Sequence, residues 1–345
     1  YADLYLVNTC AVTAEAEKKS RQAIARVRKF NPAARVIVCG CAAQNHPEAF
    51  SEREGVTLVT GAMHKDRVLE LLDREGVFLE EERAFCELPA PKQTKTRAFL
   101  RIQDGCNRFC SYCLIPYLRG RTRSRAADAV VREAEHVLAR EIVLTGIDIT
   151  SYRDGETDLG GLLLRLAHLP SRIRLGSLEE GIVTREFLDC MKAAGNVVPH
   201  FHLSLQSGSD AVLRAMNRKY TRAEFLRKAA LVREAFPSAA ITTDIIVGFP
   251  TETEEDFEAT LALAEEARFS QIHCFAYSRR AGTAAAKLKE LAPQVKKERL
   301  GRLMALGRRL REEYEGAFLG KTLKLVPEEE KDGYTEGYSE NYISL

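Results

Sequence analysis

The sequence lacks three features that would assign it to common protein classes. It contains no run of about 18 apolar residues, so nothing in it predicts a membrane-spanning helix. Its first residues, YADLYLVNTC, show no charged segment ahead of an apolar one and therefore no visible signal peptide. The formal net charge of the 345 residues is only +2, so a nucleic-acid partner would have to be recognised by local patches. The chain also starts without methionine, and we interpret its true beginning as missing.

Cysteine is the residue type whose distribution is most informative. Five of the nine cysteines fall into two groups, Cys39 with Cys41 and Cys106 with Cys110 and Cys113. Without a secretory signal, this clustering favours a reduced, cytoplasmic compartment and metal or redox chemistry over a framework of disulfides.

The first segment alternates strand and helix. A short apolar strand ends at Cys10, a helix places Ala23, Ile24, Val27 and Phe30 on one stripe, and a second strand ends near Cys41. This order predicts a βαβ unit with parallel strands. Cys10 and Cys41 would then lie just past the carboxyl ends of their strands, where open α/β sheets bind ligands.

A linker-like segment at 86–97 precedes a longer series of strand-like runs. The six runs are RAFLRIQ, EIVLTG, RIRLGSL, HFHLSL, ITTDIIVG and QIHCFAY, and helical stretches between them include 126–139, 221–235 and 252–267. Six β/α repeats predict an open parallel barrel whose chemistry lies on the loops after the strands. A charged helix at about 294–315 then leads into a tail typical of the first hairpin of a small β module.

These patterns predict an α/β protein of three parts. They are an N-terminal parallel α/β domain at 1–88, an open six-stranded (β/α) barrel at 92–318 and the start of a C-terminal β module at 319–345.

The cysteine triplet is the strongest indication of chemistry. Cys106, Cys110 and Cys113 are spaced so that one loop can wrap three thiolates around a compact inorganic centre. A zinc site would require a fourth Cys or His close by, and none follows Cys113 before His136. Three ligands on a four-iron cluster would leave one iron open to a small molecule. We favour such a cluster, with structural zinc and buried thiols as the alternatives.

The surroundings of the triplet make the family recognisable. The chain resembles the radical S-adenosylmethionine superfamily, and within it the methylthiotransferases. The segments that carry this resemblance are NTCAVTAEAEKKSRQ, GCAAQ, GCNRFCSYCLIPYLRGRTRSR, LTGIDITSY, LSLQSGSDAVLRAMNRKYT, IIVGFPTETEEDF and GYSENYI. The first of them, together with YLRGRTRSR, is most similar to the branch that acts on threonylcarbamoyladenosine in tRNA.

The resemblance implies a reaction, its cofactors and its partners. The enzyme would convert threonylcarbamoyladenosine beside the anticodon to its 2-methylthio derivative, with S-adenosylmethionine and two 4Fe–4S clusters as cofactors. One S-adenosylmethionine would methylate sulfur and another would yield the 5′-deoxyadenosyl radical. Expected partners are the anticodon loop of tRNA, an electron donor such as flavodoxin or ferredoxin, and a sulfur source. We expect a monomer without a membrane partner.

The resemblance also implies site residues. The triplet Cys106, Cys110 and Cys113 would bind the catalytic cluster. Residues at positions where superfamily members contact S-adenosylmethionine are Tyr112, Thr145, Gly146, Ser177, Glu179, Gln206, Asp244 and Gly248. Tyr112 is equally well interpreted as a packing residue.

A second cluster is expected on the N-terminal domain. Cys10 and Cys41 match the second and third of its three ligands, and the first would lie upstream of residue 1, so we expect these 345 residues to hold this cluster only incompletely. Cys39 matches no required thiol and is interpreted as a small buried hydrophobe.

Four arginines follow the triplet, at positions 119, 121, 123 and 125. Arg119, Arg121, Arg123 and Arg125 either contact tRNA phosphates or the S-adenosylmethionine carboxylate, or belong to a solvated loop or pair with acidic helices. The C-terminal segment resembles the start of a TRAM module, an RNA-binding β-barrel whose contacts are expected to be salt-sensitive.

Other features are weaker. His200 and His202 alternate along a strand without an evident metal partner, which favours hydrogen bonding inside the barrel. Thr253 and Asp256 form a capping box that opens a helix. Rival functions are methylthiolation of isopentenyladenosine in tRNA or of a ribosomal-protein aspartate, and, from another class, a non-catalytic iron–sulfur or zinc RNA-binding module.

Overall fold

The computed structural model describes residues 1–63, 65–79, 85, 87 and 96–345 and contains two compact units. Unit A comprises 1–91, 105–123 and 278–287, and unit B comprises 92–104, 124–277 and 288–345, each as far as it is described. Within the described residues, no helix combines the length and the apolar character that crossing a membrane requires. The linker predicted at 86–97 falls almost entirely outside the described residues.

Unit A is built on a four-stranded parallel sheet in the order β1-β2-β3-β4. Its elements are β1 (Leu4–Thr9), α1 (Ala14–Phe30), β2 (Arg35–Gly40), α2 (Cys41–Asn45), α3 (Glu48–Ser51), β3 (Val56–Thr60), β4 (Gly76–Phe78) and α4 (Ile115–Arg119). The predicted βαβ unit is confirmed, whereas β3 and β4 were not foreseen. Thr13 begins α1 because its side chain accepts a hydrogen bond from the amide of Ala16. Ile24 and Val27 are buried as the stripe predicts, but Ala23 is exposed and Phe30, the last helical residue, is 65% exposed.

Unit B contains the six strands that the sequence predicts. The elements from residue 97 onward that lie in it or border it are β5 (Arg97–Arg101), β6 (Gln103–Asp104), β7 (Arg123–Ser124), α5 (Ala127–Glu135), β8 (Glu141–Thr145), β9 (Arg153–Asp154), β10 (Thr157–Asp158), α6 (Leu159–Arg165), β11 (Arg172–Leu175), β12 (Ser177–Leu178), α7 (Arg185–Ala194), β13 (His200–Leu203), α8 (Asp210–Ala215), α9 (Arg222–Ala235), β14 (Ala240–Val247), α10 (Glu254–Ala267), β15 (Gln271–Ala276), α11 (Pro293–Gly316), β16 (Leu325–Lys331) and β17 (Tyr334–Ser339).

The strands of unit B pair in parallel in two groups, β11-β8-β5 and β12-β13-β14-β15. Only Gly176 separates β11 from β12, so the third predicted strand pairs with β8 through its first half and with β13 through its second. An apolar core between these strands and the helices that alternate with them is filled by large side chains, including Phe201, Phe225, Phe257 and Phe269. The parallel order brings the carboxyl ends of the strands to one edge.

The C-terminal segment forms the predicted hairpin, β16 with β17, in antiparallel pairing. Arg172 and Arg174 on β11 donate hydrogen bonds to the carbonyl oxygens of Tyr338 (2.8 Å) and Ser339 (3.1 Å). The buried carboxylate of Glu141 on β8 accepts from both guanidinium groups. A single buried carboxylate therefore orients the arginines that attach the hairpin to the strands of unit B.

Candidate active site

The cysteine triplet lies on a loop of unit A that is closed at its base by backbone contacts. The amide of Cys106 donates to the carbonyl oxygen of Gly120 (3.1 Å). Gly105 has φ +71°, and a Cβ added there would lie 2.0 Å from the Arg121 carbonyl oxygen, so only glycine fits. Leu114 and Leu118 of this loop pack in the same apolar core as the sheet of unit A.

The segment 278–287 belongs to the same unit and also holds the loop. The amide of Ala285 donates to the Ser111 carbonyl oxygen (2.8 Å), between the second and third cysteines. Arg280 of this segment forms a buried ion pair with Glu17 on α1 (2.7 Å). The loop is therefore supported by parts of the chain that are distant in sequence.

Two sulfur atoms of the triplet accept backbone hydrogen bonds in the same way. The amides two residues further on, those of Arg108 and Ile115, donate to the Sγ atoms of Cys106 and Cys113, each at 3.4 Å. All three cysteines of the triplet are half-buried. Amide donors that face sulfur stabilise thiolate ligands and tune the potential of an iron–sulfur cluster. These residues fit the cluster that the triplet predicts.

Aromatic and cationic side chains surround the middle cysteine. Phe109, just before Cys110, has φ +51° and contacts the ring of Tyr117 edge-on. The guanidinium of Arg121 lies over the Phe109 ring, 4.5 Å from its centroid. Tyr112, predicted beside adenine, is half-buried in this loop.

Cys10 and Cys41 follow neighbouring strand ends of unit A. The register of β1 and β2 sets Thr9 opposite Gly40, and Cys10 and Cys41 are the residues that directly follow this pair on the two strands. The Sγ of Cys10 accepts from the Val12 amide (3.5 Å), the same two-residue pattern that Cys106 and Cys113 show. Cys10 is exposed and Cys41 half-buried, as ligands of an edge-bound group would be.

Cys39 differs from its neighbours. It is 2% exposed, and burial raises the pKa of its thiol. It is a buried, protonated core residue, which agrees with the interpretation from sequence.

The strand ends of unit B carry polar groups on rigid turns. After β8, the amides of Ile147 and Asp148 donate to the Gln103 side-chain oxygen (2.9 and 2.7 Å), which fixes the turn that holds Thr145 and Gly146. Buried polar networks of this kind rigidify the backbone around a pocket.

The next two strand ends are equally constrained. Glu179, after β12, forms an ion pair with the buried Arg218. Gln206, after β13, has φ +67°, and its amide donates to the Asp244 carbonyl oxygen (2.9 Å). Sequence reasoning did not single out Arg218, although it lies in the quoted segment MNRKYT.

The loop after β14 depends on another buried pair. Gly248 has φ +71°, and its amide donates to the Glu252 carboxylate (2.8 Å), which also pairs with Arg299 (2.7 Å). Burial raises the pKa of Glu252 despite that arginine. Thr253 and Asp256 form the predicted capping box at the start of α10.

Ser177 and Asp244, two further residues predicted to contact S-adenosylmethionine, line a cavity of about 500 Å³ within unit B. It also contains the two histidines of β13: the hydroxyl of Thr242 is hydrogen-bonded to His202 Nδ1 (2.9 Å) and His200 Nε2 (3.3 Å), which confirms the predicted role in hydrogen bonding. Burial lowers the pKa of His200, so its imidazole is neutral at pH 7.

Two side chains that the sequence does not connect with His202 lie beside it in this cavity. Asp244 and His273 offer ligand atoms that lie, with that of His202, within 4.8 Å of one another. Sequence reasoning missed the group because its members lie on three different strands.

The four arginines after the triplet have different surroundings. Arg119 donates to the Ala62 carbonyl oxygen (3.2 Å) and Arg123 to that of Arg119 (2.6 Å), both within unit A. In unit B, Arg125 pairs with Glu133 of α5. Arg121 is exposed. Pairing with an acidic helix therefore holds for Arg125.

Comparison with known proteins assigns the class of this fold. Residues 100–264 match the model of the radical SAM superfamily, and residues 1–61 match that of the uncharacterized protein family UPF0004. Among solved structures, the radical S-adenosylmethionine methyltransferase TsrM from Kitasatospora setae is similar in fold, with a TM-score of 0.63 and 15% identity over 82% of this chain and 66% of that one. The fold is that of the radical S-adenosylmethionine enzymes.

Full-length relatives narrow the assignment. The threonylcarbamoyladenosine tRNA methylthiotransferase MtaB of Bacillus subtilis (strain 168) is 38% identical over 100% of this chain and 82% of its own length. The tRNA-2-methylthio-N(6)-dimethylallyladenosine synthase of Thermodesulfovibrio yellowstonii is 35% identical over 97% of this chain and 82% of its own length. This chain belongs to the radical S-adenosylmethionine methylthiotransferase family, whose members use S-adenosylmethionine and two 4Fe–4S clusters.

Proposed function

We propose that this enzyme is a tRNA methylthiotransferase that replaces the hydrogen at carbon 2 of threonylcarbamoyladenosine, beside the anticodon, with a methylthio group. The observation that carries the proposal is the closed loop in which backbone amides face the sulfur atoms of Cys106 and Cys113. The choice of nucleoside rests on relatives named for threonylcarbamoyladenosine, which are 33–38% identical over 96–100% of this chain.

Cys106, Cys110 and Cys113 would hold the catalytic cluster, and Cys10 and Cys41 would supply ligands to the second. The catalytic cluster would supply the one electron needed for reductive cleavage of S-adenosylmethionine, the chemistry that allows hydrogen to be removed from carbon 2. The chain contributes thiolates whose sulfur atoms accept amide hydrogen bonds, a fixed loop around them, and partial burial that limits access of solvent.

We place S-adenosylmethionine at the strand ends of an open barrel formed by the six strands of unit B. The turns at Thr145, Gly146, Gln206 and Gly248 suit a ligand with several polar groups, because hydrogen bonds within the chain already fix their backbone. Glu179, paired with Arg218, presents charged groups that suit the amino acid part of the ligand.

We further propose that the C-terminal hairpin is the start of a TRAM-like module and that Arg121 contacts an RNA phosphate. The hairpin is attached to unit B through Arg172 and Arg174. Arg121 is exposed and stacked on Phe109, which keeps an always-charged guanidinium at the surface. The proposed reaction also needs an electron donor and a sulfur source, and we propose that it takes place in the cytoplasm.

The test is mass spectrometry of tRNA nucleosides from a host that lacks this modification and expresses the full-length gene. We expect 2-methylthio-threonylcarbamoyladenosine with the unaltered protein and none with Cys106→Ala. The matched control is Cys190→Ala, which removes a thiol of α7 in unit B that is not among the predicted cluster ligands, and is expected to retain the product.

Other results of the same nucleoside analysis would assign the enzyme to a different branch of the methylthiotransferase family. Methylthiolated isopentenyladenosine in place of the expected nucleoside would keep the reaction but replace the substrate. Failure to modify either nucleoside, in protein that contains its clusters, would refute the tRNA function, and ribosomal-protein aspartate would become the substrate to test.

A further inference from the structure

The cavity in unit B contains side chains that the proposed reaction does not use. Three neighbouring strands contribute His202 on β13, Asp244 on β14 and His273 on β15. The register sets His202 opposite Thr242 and Asp244 opposite His273, so parallel pairing brings the three side chains to adjacent levels. Their ligand atoms all lie within 4.8 Å of one another.

We propose that His202, Asp244 and His273 bind one divalent transition-metal ion, separately from the iron–sulfur clusters. Two imidazoles and one carboxylate are a donor set used by zinc and by non-haem iron(II). Tetrahedral bonds of about 2.0–2.1 Å separate donor atoms by about 3.3 Å. The Nε2 of His202 and the Oδ2 of Asp244 are 3.3 Å apart, which matches this separation.

The second nitrogen of His202 is fixed as it is in metal ligands. Its Nδ1 is hydrogen-bonded to the Thr242 hydroxyl (2.9 Å), and this leaves Nε2 directed at Asp244. The same hydroxyl is 3.3 Å from Nε2 of His200, whose ring stacks on Tyr342. Partners that orient a metal-binding imidazole are a regular feature of metal sites.

The third donor distinguishes this group from a simple pair of histidine and aspartate. The ring of His273 lies 5.4 Å from that of His202, so a second imidazole faces the same space. The cavity of about 500 Å³ leaves room at the open coordination position for water or a small ligand. Asp244 would thus bind the metal ion rather than S-adenosylmethionine.

The experiment uses the cluster-loaded full chain and Zn²⁺ as the probe. The protein is incubated anaerobically with Zn²⁺, freed of excess ion by gel filtration, and analysed for zinc by plasma mass spectrometry and X-ray absorption at the zinc edge. We expect about one zinc per chain with nitrogen and oxygen ligands at about 2.0–2.1 Å and no sulfur at about 2.3 Å, because the sulfur distance would report binding to cysteines.

Matched variants locate the ion. The double variant with Asp244→Asn and His273→Gln should lose the zinc. The matched control is His168→Asn, which changes an exposed histidine that also faces a carboxylate, Glu135 (3.1 Å), and should retain the zinc. Iron content and circular dichroism identify variants that fold. Should the double variant fail to fold, Thr242→Val should weaken zinc affinity by about 10–100-fold.

Three results would overturn the proposal. They are no retained zinc, a sulfur shell around it, or unchanged zinc binding in a folded double variant or, where that variant does not fold, in Thr242→Val.

Discussion

The replacement of Glu141 by glutamine tests how the C-terminal hairpin is held. The Glu141 side chain is 0% exposed, and its oxygens lie 2.5 Å from Arg172 Nε, 2.9 Å from Arg174 Nη2 and 3.0 Å from Arg97 Nε. The Nε–H of Arg97 is not aligned for a hydrogen bond to Glu141, so Arg97 stabilises the carboxylate mainly through its charge. Glu141→Gln leaves three largely buried guanidinium groups without their anion, and loss of one partner from a buried ionic group costs about 3–5 kcal/mol. We expect a loss of that size in the free energy of unfolding.

The assay is urea denaturation followed by circular dichroism, since urea does not screen charges. The control is Glu258→Gln, which breaks the surface pair with Arg302, where both side chains are substantially exposed. That change should cost no more than about 1 kcal/mol. Equal losses in the two variants would refute the view that Glu141 is an essential buried counter-ion.

The pH dependence gives a second measure of the same pair. Burial alone would raise the pKa of Glu141, but the hydrogen bond from Arg174 and the charges of Arg174, Arg172 and Arg97 outweigh it and lower the pKa from 4.5. A lowered folded-state pKa stabilises the protein fully above 4.5, and this contribution is lost as the pH falls through the folded-state value. The difference in the free energy of unfolding between wild type and Glu141→Gln should therefore be constant from pH 7 to about 5 and should shrink below pH 4.5.

Two further changes test the end of β2, which precedes Cys41, and the RNA contact proposed for Arg121. Gly40 has φ +102°, and a Cβ there would lie 2.4 Å from the Thr9 carbonyl oxygen, so Gly40→Ala should cost at least about 3 kcal/mol in urea unfolding. Gly301→Ala, in open space on α11, should instead be neutral or stabilise by up to about 1 kcal/mol, and equal effects would contradict the argument. Arg121→Ala should weaken tRNA binding and reduce the slope of log affinity against log salt by about 0.7–0.9, whereas Arg185→Ala, which removes an exposed arginine paired with Glu234, should leave the slope unchanged. An unchanged slope for Arg121→Ala would remove it from the RNA interface.

Local pattern predicted much of the secondary structure. The six strands of unit B, the first βαβ unit and the long C-terminal helix were visible because apolar runs and helix-forming stretches of the usual length alternate there. The stretch predicted as helix at 126–139 ends already at Glu135. The short β3 and β4 were not predicted.

The support of the cysteine loop could not be predicted in this way. Leu114 and Leu118 pack with the core of unit A, and Ala285 bonds to the middle of the loop, although both contacts join parts of the chain far apart in sequence. Arg119 and Arg123 are held by backbone carbonyl oxygens, which leave no trace in a sequence. Residue types and spacing predicted the thiolate loop, but its packing depends on tertiary contacts.

The histidine and aspartate group shows what kind of inference would have found such a site. His202, Asp244 and His273 lie on three successive strands, so no local spacing connects them. Parallel strands with known register do connect them, because His202 is opposite Thr242 and Asp244, two residues further along the same face of β14, is opposite His273. A search for ligand types at matching heights on adjacent predicted strands would therefore have joined the three residues, since only the register was missing. The turn residues that mark the strand ends in the sequence fix that register only to within a residue or two. Such a search must therefore also require that the three side chains share one face, because a slip of one residue would turn each side chain to the opposite face.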